Sequence, residues 1–303
     1  MLAPLLYIVR KVTEPVAQLI DLDIMPTDHN GAANLLRKGL GIVAFNILED
    51  FIKNKALETL DHISNSEVPF SYLSDKLQEA ATLGALNALS FRAKIAKKDN
   101  APWKLLIQDE AIKIHSTKND IFELSAFSLA SSGSNVSAVE VTELMQAFDI
   151  KGGWGKLKEV SDSISGGITD LCQSYKNAAD RRNSSAHTAD FRYEYSWLRE
   201  IKSEIIAIAA SLDILLTARC RQVDRNHGCP LSDHDINSDL NYRYLKEDGP
   251  HPIHKEVTVI GGRSRKNWNS VDEALIILKP KLVPRKEFLI ILDKSSRIID
   301  WAV

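Results

Sequence analysis

The sequence predicts a mainly α protein, an antiparallel helical bundle with a small C-terminal α+β appendage. Two observations predict it. Apolar residues keep three- and four-residue spacing along most of the chain up to about residue 220, and after Arg225 that spacing gives way to turn formers and short apolar runs. A hydrophobic content of 44% at a net charge of only -2 supplies enough apolar material for a sizeable core. We divide the chain at that change, into an all-helical domain over residues 1–220 and a loop-rich linker with a small α+β extension over 221–303.

Leu36, Leu40, Val43, Ile47 and Phe51, then Leu57 and Leu60, predict one long helix. A proline-bearing break over 67–70 ends it. Leu77, Ala81, Gly84, Ala88, Phe91 and Ile95 predict a second, with Ser74 or Asp75 as its cap. Residues 104–135 are open between strand and helix at Ile112 and Ile114, and 131–134 reads as a loop. Val141, Leu144, Met145 and Phe148 mark a short helix. Trp154, Leu157, Val160, Ile164, Ile168, Leu171 and Tyr175 predict a further helix with a kink at Gly166 and Gly167. The last strong series is Phe191, Tyr195, Leu198, Ile201, Ile205, Ile208, Leu212 and Leu215. Residues 225–254 are rich in turn formers and lack periodicity. Beyond them 257–260, 288–292 and 298–303 read as short strands, and 271–278 as a helix or a further strand. No internal repeat is visible.

The composition excludes collagen-like, low-complexity and disordered chains. No apolar run reaches the roughly 18 residues of a membrane span, and residues 1–9 are too short for a leader, lack a basic start and meet Arg10. Cys172, Cys220 and Cys229 are too few for a disulfide framework and fit a reducing compartment, so the expected setting is cytoplasmic, without membrane contact. Charge is uneven: residues 255–303 hold 10 basic and 6 acidic side chains, a basic tail on an acidic body. Such a tail suits contact with a polyanion, and equally suits a solvated lysine-rich surface.

The segment that carries chemistry is Asp180-Arg181-Arg182-Asn183-Ser184-Ser185-Ala186-His187, between the last two helical series. Arginine offers phosphate a rigid bidentate donor, and an imidazole exchanges protons near neutral pH, so the pair suits phosphoryl chemistry. Spacing alone is weak, because Arg221 stands in a similar relation to His227. On an ideal helix five residues turn about 500°, which sets Arg182 and His187 roughly 140° apart. They converge only if Arg182 lies in an irregular helix entry, capped by Asn183 or Ser184, or if the partner residue comes from a second subunit.

The fuller wording, Arg182-Asn183 followed by Ala186-His187 before a strong amphipathic helix, resembles the signature of the HEPN superfamily, in particular its RiboL-PSP-like group. Asn46-Ile47-Leu48-Glu49-Asp50-Phe51 is similar to the end of that group's first core helix, and Ser134-Asn135-Val136-Ser137 with residues 144–150 to its middle. The resemblance covers roughly residues 30–220. Thr188 departs from it, where many members carry Gly, which bears on local geometry. It implies a HEPN-type helical bundle that dimerises, so that two Arg-His motifs face each other in one composite site. It further implies a metal-independent ribonuclease with no cofactor, acting as a toxin or in phage defence, with RNA as substrate and an antitoxin or defence-system protein as a further partner. Other members have lost catalysis and only bind.

In that reading His187 moves a proton and Arg182 holds the scissile phosphate. Arg181 is either a second phosphate contact or a cation paired with Asp180 or another acid, and Asn183 orients the site or caps the helix. Glu49 and Asp50 either reach across to position Arg182 or His187, or solvate a helix face. Ser184 and Ser185 read as capping or phosphate-contacting groups, not nucleophiles. In the tail, Lys255, Arg263, Arg265, Lys266, Arg285 and Lys286 either guide RNA or offset the acidic body.

Other motifs fail on spacing. Gly152-Gly153-Trp154-Gly155-Lys156 lacks the first glycine of a phosphate loop and has Leu157 where Ser or Thr belongs. His227, Cys229, His234, His251 and His254 match no zinc pattern. An aromatic content of 7%, without basic interleaving, argues against a single-strand stacking platform.

Overall fold

The computed structural model describes residues 27–129, 136–226, 228–249 and 253–303; Ser134, Asn135, His227, His251 and residues 1–9 lie outside them. Helix α1 (Thr27–Ser64) is the long helix expected from Leu36 onward. Its buried stripe, however, is Ala44, Phe45, Leu48, Ile52, Ala56, Leu60 and Ile63, while Leu36 (52% exposed) and Val43 (48%) face outward. The helix is apolar on two sides, and the side rich in Ala and Phe is the one its neighbours cover.

Ser74 caps α2 (Asp75–Glu79) by accepting from the Leu77 amide at 3.1 Å. A π-helical turn over Ala80–Gly84 then leads into α3 (Ala85–Lys98). Its wider winding moves the buried stripe to Leu77, Ala81, Ala85, Leu89 and Ala93, one residue past the expected Gly84 and Ala88. Phe91, expected on the inner face, is consequently 51% exposed. The open segment resolves as helix α4 (Trp103–Ser116), paired with α3. Helix α5 (Ala138–Ala147) starts at a Ser137–Glu140 capping box.

The expected kink at Gly166 and Gly167 is a complete break. Helix α6 (Gly153–Ser163) stops there, with Ser165 and Gly167 at positive φ, and a Cβ on Gly166 would lie 2.2 Å from Ser161 Oγ. Helix α7 (Leu171–His187) restarts from Asp170, whose carboxylate accepts from the Gln173 amide at 2.9 Å. Helix α8 (Tyr195–Arg225) closes the bundle.

Helix α7 lies against α1 in the opposite sense, since Tyr175 near its start meets Phe45 while the Thr188 carbonyl just past its end meets Lys38, seven residues earlier on α1. It also runs antiparallel to α8, since Ser174 reaches Glu204 while Arg181, seven residues on, meets Trp197. Helices α1 and α8 therefore share a direction, as the contacts Lys55–Asp213 at 2.7 Å and His62–Asp224 at 2.8 Å show.

Residues 225–254 are not all turn. They hold β1 (Asn241–Asp248) and, from Ile253, β2 (Ile253–Val257); the run expected as a strand over 257–260 is instead mostly the turn that follows β2. With β3 (Lys266–Trp268), β4 (Glu287–Leu292) and β5 (Ile298–Ala302) they form one sheet of order β3-β2-β1-β4-β5, in which only the β1–β4 pair is parallel. Helix α9 (Val271–Arg285) makes the crossover and continues through Pro280 and Pro284, both exposed, so the carbonyls they leave unpaired face water. Phe288, Ile290 and Leu292 join the core of the bundle, while Leu289 and Ile291 pack with Leu245 and Trp268 under α9. Trp301 Nε1 donates to Asp213 on α8 at 2.8 Å, and Tyr244 Oη to the Ser163 carbonyl at 2.8 Å, which fixes the sheet to the bundle. Among the described residues no helix is long and apolar enough to cross a membrane.

Candidate active site

Asn183 and Ser184 do not cap a helix. The whole stretch from Arg181 to His187 is regular α-helix, the last two turns of α7, and the cap of that helix is Asp170. Helix α8, which follows, begins after Glu194, whose side chain makes no capping hydrogen bond. The irregular helix entry expected as one way to unite Arg182 with His187 is thus absent, and five regular residues leave the two side chains about 140° apart around α7.

Arg182 turns toward α1. Its Nε donates to Asn46 Oδ1 at 3.3 Å and its Nη1 to Asn183 Oδ1 at 3.1 Å, leaving Nη2 unengaged among the described residues. Glu49, one turn along α1, is buried and accepts from the Val136 amide at 2.6 Å. Burial pushes its carboxyl above the ordinary range, against the pull of that amide and of the Lys53 and Arg182 cations. Tyr175 Oη donates to the carbonyl of the same Val136 at 2.6 Å, so Val136 ties the middle of the chain to α1 and α7 together. Asp50 is exposed.

Arg181 points the other way. Its guanidinium lies 4.8 Å from the Trp197 ring centre, with Nη1 4.0 Å from Glu204 Oε2, so it is engaged between α7 and α8. Burial raises the Glu204 carboxyl, and Arg181 opposes that rise.

His187 is the last residue of α7, exposed, and without a hydrogen-bond or ion-pair partner among the described residues. Thr188 closes the helix in an extended conformation (φ -114°, ψ 112°), a backbone that needs no glycine and suits a β-branched residue. Two residues of α1 that the sequence does not single out hold the connector beyond it. Lys38, 8% exposed, donates to the carbonyls of Thr188 at 2.8 Å and Ala189 at 3.2 Å. Asn34 donates to the Phe191 carbonyl at 3.0 Å and accepts from the Tyr193 amide at 2.9 Å. Gly41 permits the close approach, since a Cβ there would lie 2.4 Å from the Tyr193 ring. The one trace of this clamp in sequence is its spacing of four and three along α1, which by itself names no partner.

Lys38→Met is expected to free the connector. Amide hydrogen exchange at residues 188–193 should accelerate at least tenfold, the equivalent of about 1.4 kcal/mol from a charge-assisted hydrogen bond. Unchanged exchange there would refute the clamp.

The tail cations fall in two groups, Lys255, Arg265 and Lys266 with nearby Arg263 at the β2–β3 pair, and Arg285 with Lys286 at the end of α9. Lys255 pairs with Asp248, Lys266 Nζ lies 3.6 Å from the Trp268 ring centre, and Lys286 Nζ lies 3.7 Å from Asp239 Oδ1. Arg263, Arg265 and Arg285 are exposed. Arg221, the decoy, is stacked over Phe288 at 4.4 Å and donates to the Glu287 carbonyl at 3.1 Å. Among the described residues no group of three His, Cys, Asp or Glu converges to hold a metal.

The RiboL-PSP-HEPN family model matches residues 11–218, more than half of the chain. The chain belongs to the RiboL-PSP-HEPN family. Neither a curated protein nor a solved structure matches it. The match spans α1, α7 and most of α8, the helices that place Arg182 and His187, and ends before the sheet. HEPN domains commonly serve as ribonucleases, and membership of the family suggests a nuclease or nucleotide-binding role.

Proposed function

We propose that the chain is a metal-independent endoribonuclease, a toxin or anti-phage effector, whose site forms when two copies set their α7 motifs face to face across a two-fold axis. The observation that carries this reading is the pair itself: Arg182 with Nη2 unengaged among the described residues and an exposed, unpaired His187, on one family-matched helix but turned about 140° apart. Two such helices in antiparallel contact supply the missing convergence.

The substrate provides its own nucleophile. The ribose 2'-oxygen attacks the adjacent phosphorus as His187 of one copy takes its proton, and the bond from phosphorus to the 5'-oxygen breaks as that oxygen is protonated. Arg182 grips the phosphate and stabilises the charge of the phosphorane. The products are a 2',3'-cyclic phosphate and a 5'-hydroxyl. Asn46 and Asn183 aim Arg182; the Lys38 clamp fixes the end of α7 that carries His187.

The second reading is a catalytically silent module that binds a partner protein or RNA. In its favour, Arg182 already spends two N–H groups on Asn46 and Asn183. Incubation with total RNA in EDTA separates the two readings. The enzyme is expected to leave fragments with cyclic phosphate and 5'-hydroxyl ends and to leave an all-deoxy strand whole; intact RNA at every protein concentration refutes it.

A further inference from the structure

Arg199 and Arg297 line a surface pocket of about 280 Å³ together with Ser196, Glu200 and Ser203. Positions 196, 199, 200 and 203 share one face of α8 by helical spacing. Arg297 arrives from the turn between β4 and β5, and that turn is fixed. The Arg297 amide donates to Asp293 Oδ1 at 2.8 Å, and the Asp293 amide returns a bond to the Arg297 carbonyl at 2.9 Å. The next residue, Ile298, donates to the Ser165 carbonyl at 3.3 Å and so anchors the turn to the bundle between α6 and α7.

Among the described residues the guanidinium groups of Arg199 and Arg297 have no ion-pair or hydrogen-bond partner, although Glu200 shares the lining. Two free planar forks beside serine hydroxyls, with a net positive lining, form a donor set for the oxygens of a phosphodiester.

Position points to RNA as the source of that phosphate. Arg181 meets Trp197 and Glu204, and α7 runs antiparallel to α8. His187, six residues farther along α7 and so about 9 Å on, is level along the axis with the first turn of α8, while Arg199, two residues past Trp197, lies about 160° around α8 from the side that meets α7, so a strand reaches both by crossing over the start of α8. We infer that the Arg199–Arg297 pocket is a phosphate subsite that holds the RNA strand a few nucleotides from the bond to be cut. The inference rests on the ribonuclease reading, and it gives the C-terminal sheet, which lies beyond the family match, a part in substrate binding through Arg297.

The test uses full-length His187→Ala protein, in which cleavage is expected to be too slow to consume the probe, and a fluorescein-labelled single-stranded RNA titrated across a salt series. Adding Arg199→Gln and Arg297→Gln together should weaken binding about tenfold at low salt and flatten the slope of log K against log salt by roughly 0.7 for each phosphate that the pocket no longer neutralises. Lys279→Gln, on the exposed face of α9, should change neither. If the parent binds RNA and the double variant matches it in affinity and slope, the subsite is wrong and the ribonuclease reading stands. If the parent binds no RNA, both fall. If the double variant loses affinity for polyglutamate while keeping it for RNA, the pocket serves an acidic protein and the subsite is again wrong.

Discussion

Replacing His187 by alanine is expected to lower RNA cleavage by roughly 100- to 10,000-fold, the usual worth of a positioned general acid or base. The thermal midpoint should stay where it is. His187 ends α7, is exposed and has no hydrogen-bond or ion-pair partner among the described residues, so its removal costs within about 0.5 kcal/mol of stability. Arg182→Ala should be as inactive, with a slightly larger stability loss because the 3.3 Å bond to Asn46 goes with it. Mixing the two variants tests the composite site directly. If the arginine of one copy works with the histidine of the other, half of the dimers are mixed and each keeps one intact pair. Activity should then return to about a quarter of the wild-type rate. A mixture as silent as its parents, with subunit exchange verified, would place both groups on one chain and contradict the geometry of α7. Full activity in His187→Ala alone would remove the histidine from the mechanism.

Helix existence was legible because periodicity reports winding, and winding is local. Which face is buried was less so. Leu36 and Val43 fit the helical spacing of α1 as well as Phe45 and Leu48 do, and only the arrival of α7 and α8 decides between the two stripes. In α3 the expected stripe through Gly84, Ala88 and Phe91 presumes even winding, which the π turn at Ala80–Gly84 breaks by one residue. The site shows the same division. Arg182 and His187 stand out in the sequence by their wording alone, and Glu49 lies beside Val136, so two segments singled out separately in the sequence do meet. Asn183 and Ser184 read as caps because both residue types favour helix starts, and nothing local says that the helix has already begun at Leu171. Asn34, Lys38 and Asn46 act across more than 130 positions, through contacts that a single sequence does not encode locally.

Strand β1 was missed for a reason that leads to the largest stability effect expected. Its sequence, Asn241-Tyr-Arg-Tyr-Leu-Lys-Glu-Asp, reads as a polar loop because a charged residue sits where the sheet is buried. Arg243 is 3% exposed and lies on the α9 side of the sheet with Leu245. Two carboxylates meet it there. Glu287 accepts from Nε at 2.8 Å and from Nη2 at 2.6 Å, Glu256 accepts from Nη1, and Glu256 also takes the Trp268 indole N–H at 3.0 Å. One guanidinium thus satisfies acids from β2 and β4, the strands on either side of β1. Arg243→Met would leave both acids in a poorly hydrated site without a counter-charge, a change that costs about 3–5 kcal/mol when one partner of a buried pair is removed. Urea unfolding followed by tryptophan fluorescence should show the midpoint fall accordingly, since Trp268 and Trp301 both belong to this sheet. Neutralising the acids as well, in Arg243→Met with Glu256→Gln and Glu287→Gln, should recover much of the loss, because the penalty comes from stranded charge and not from the missing side chain. A midpoint unchanged by Arg243→Met would mean that water reaches these carboxylates. A triple variant no more stable than the single one would mean that packing around the arginine, and not its charge, holds β1 in the sheet.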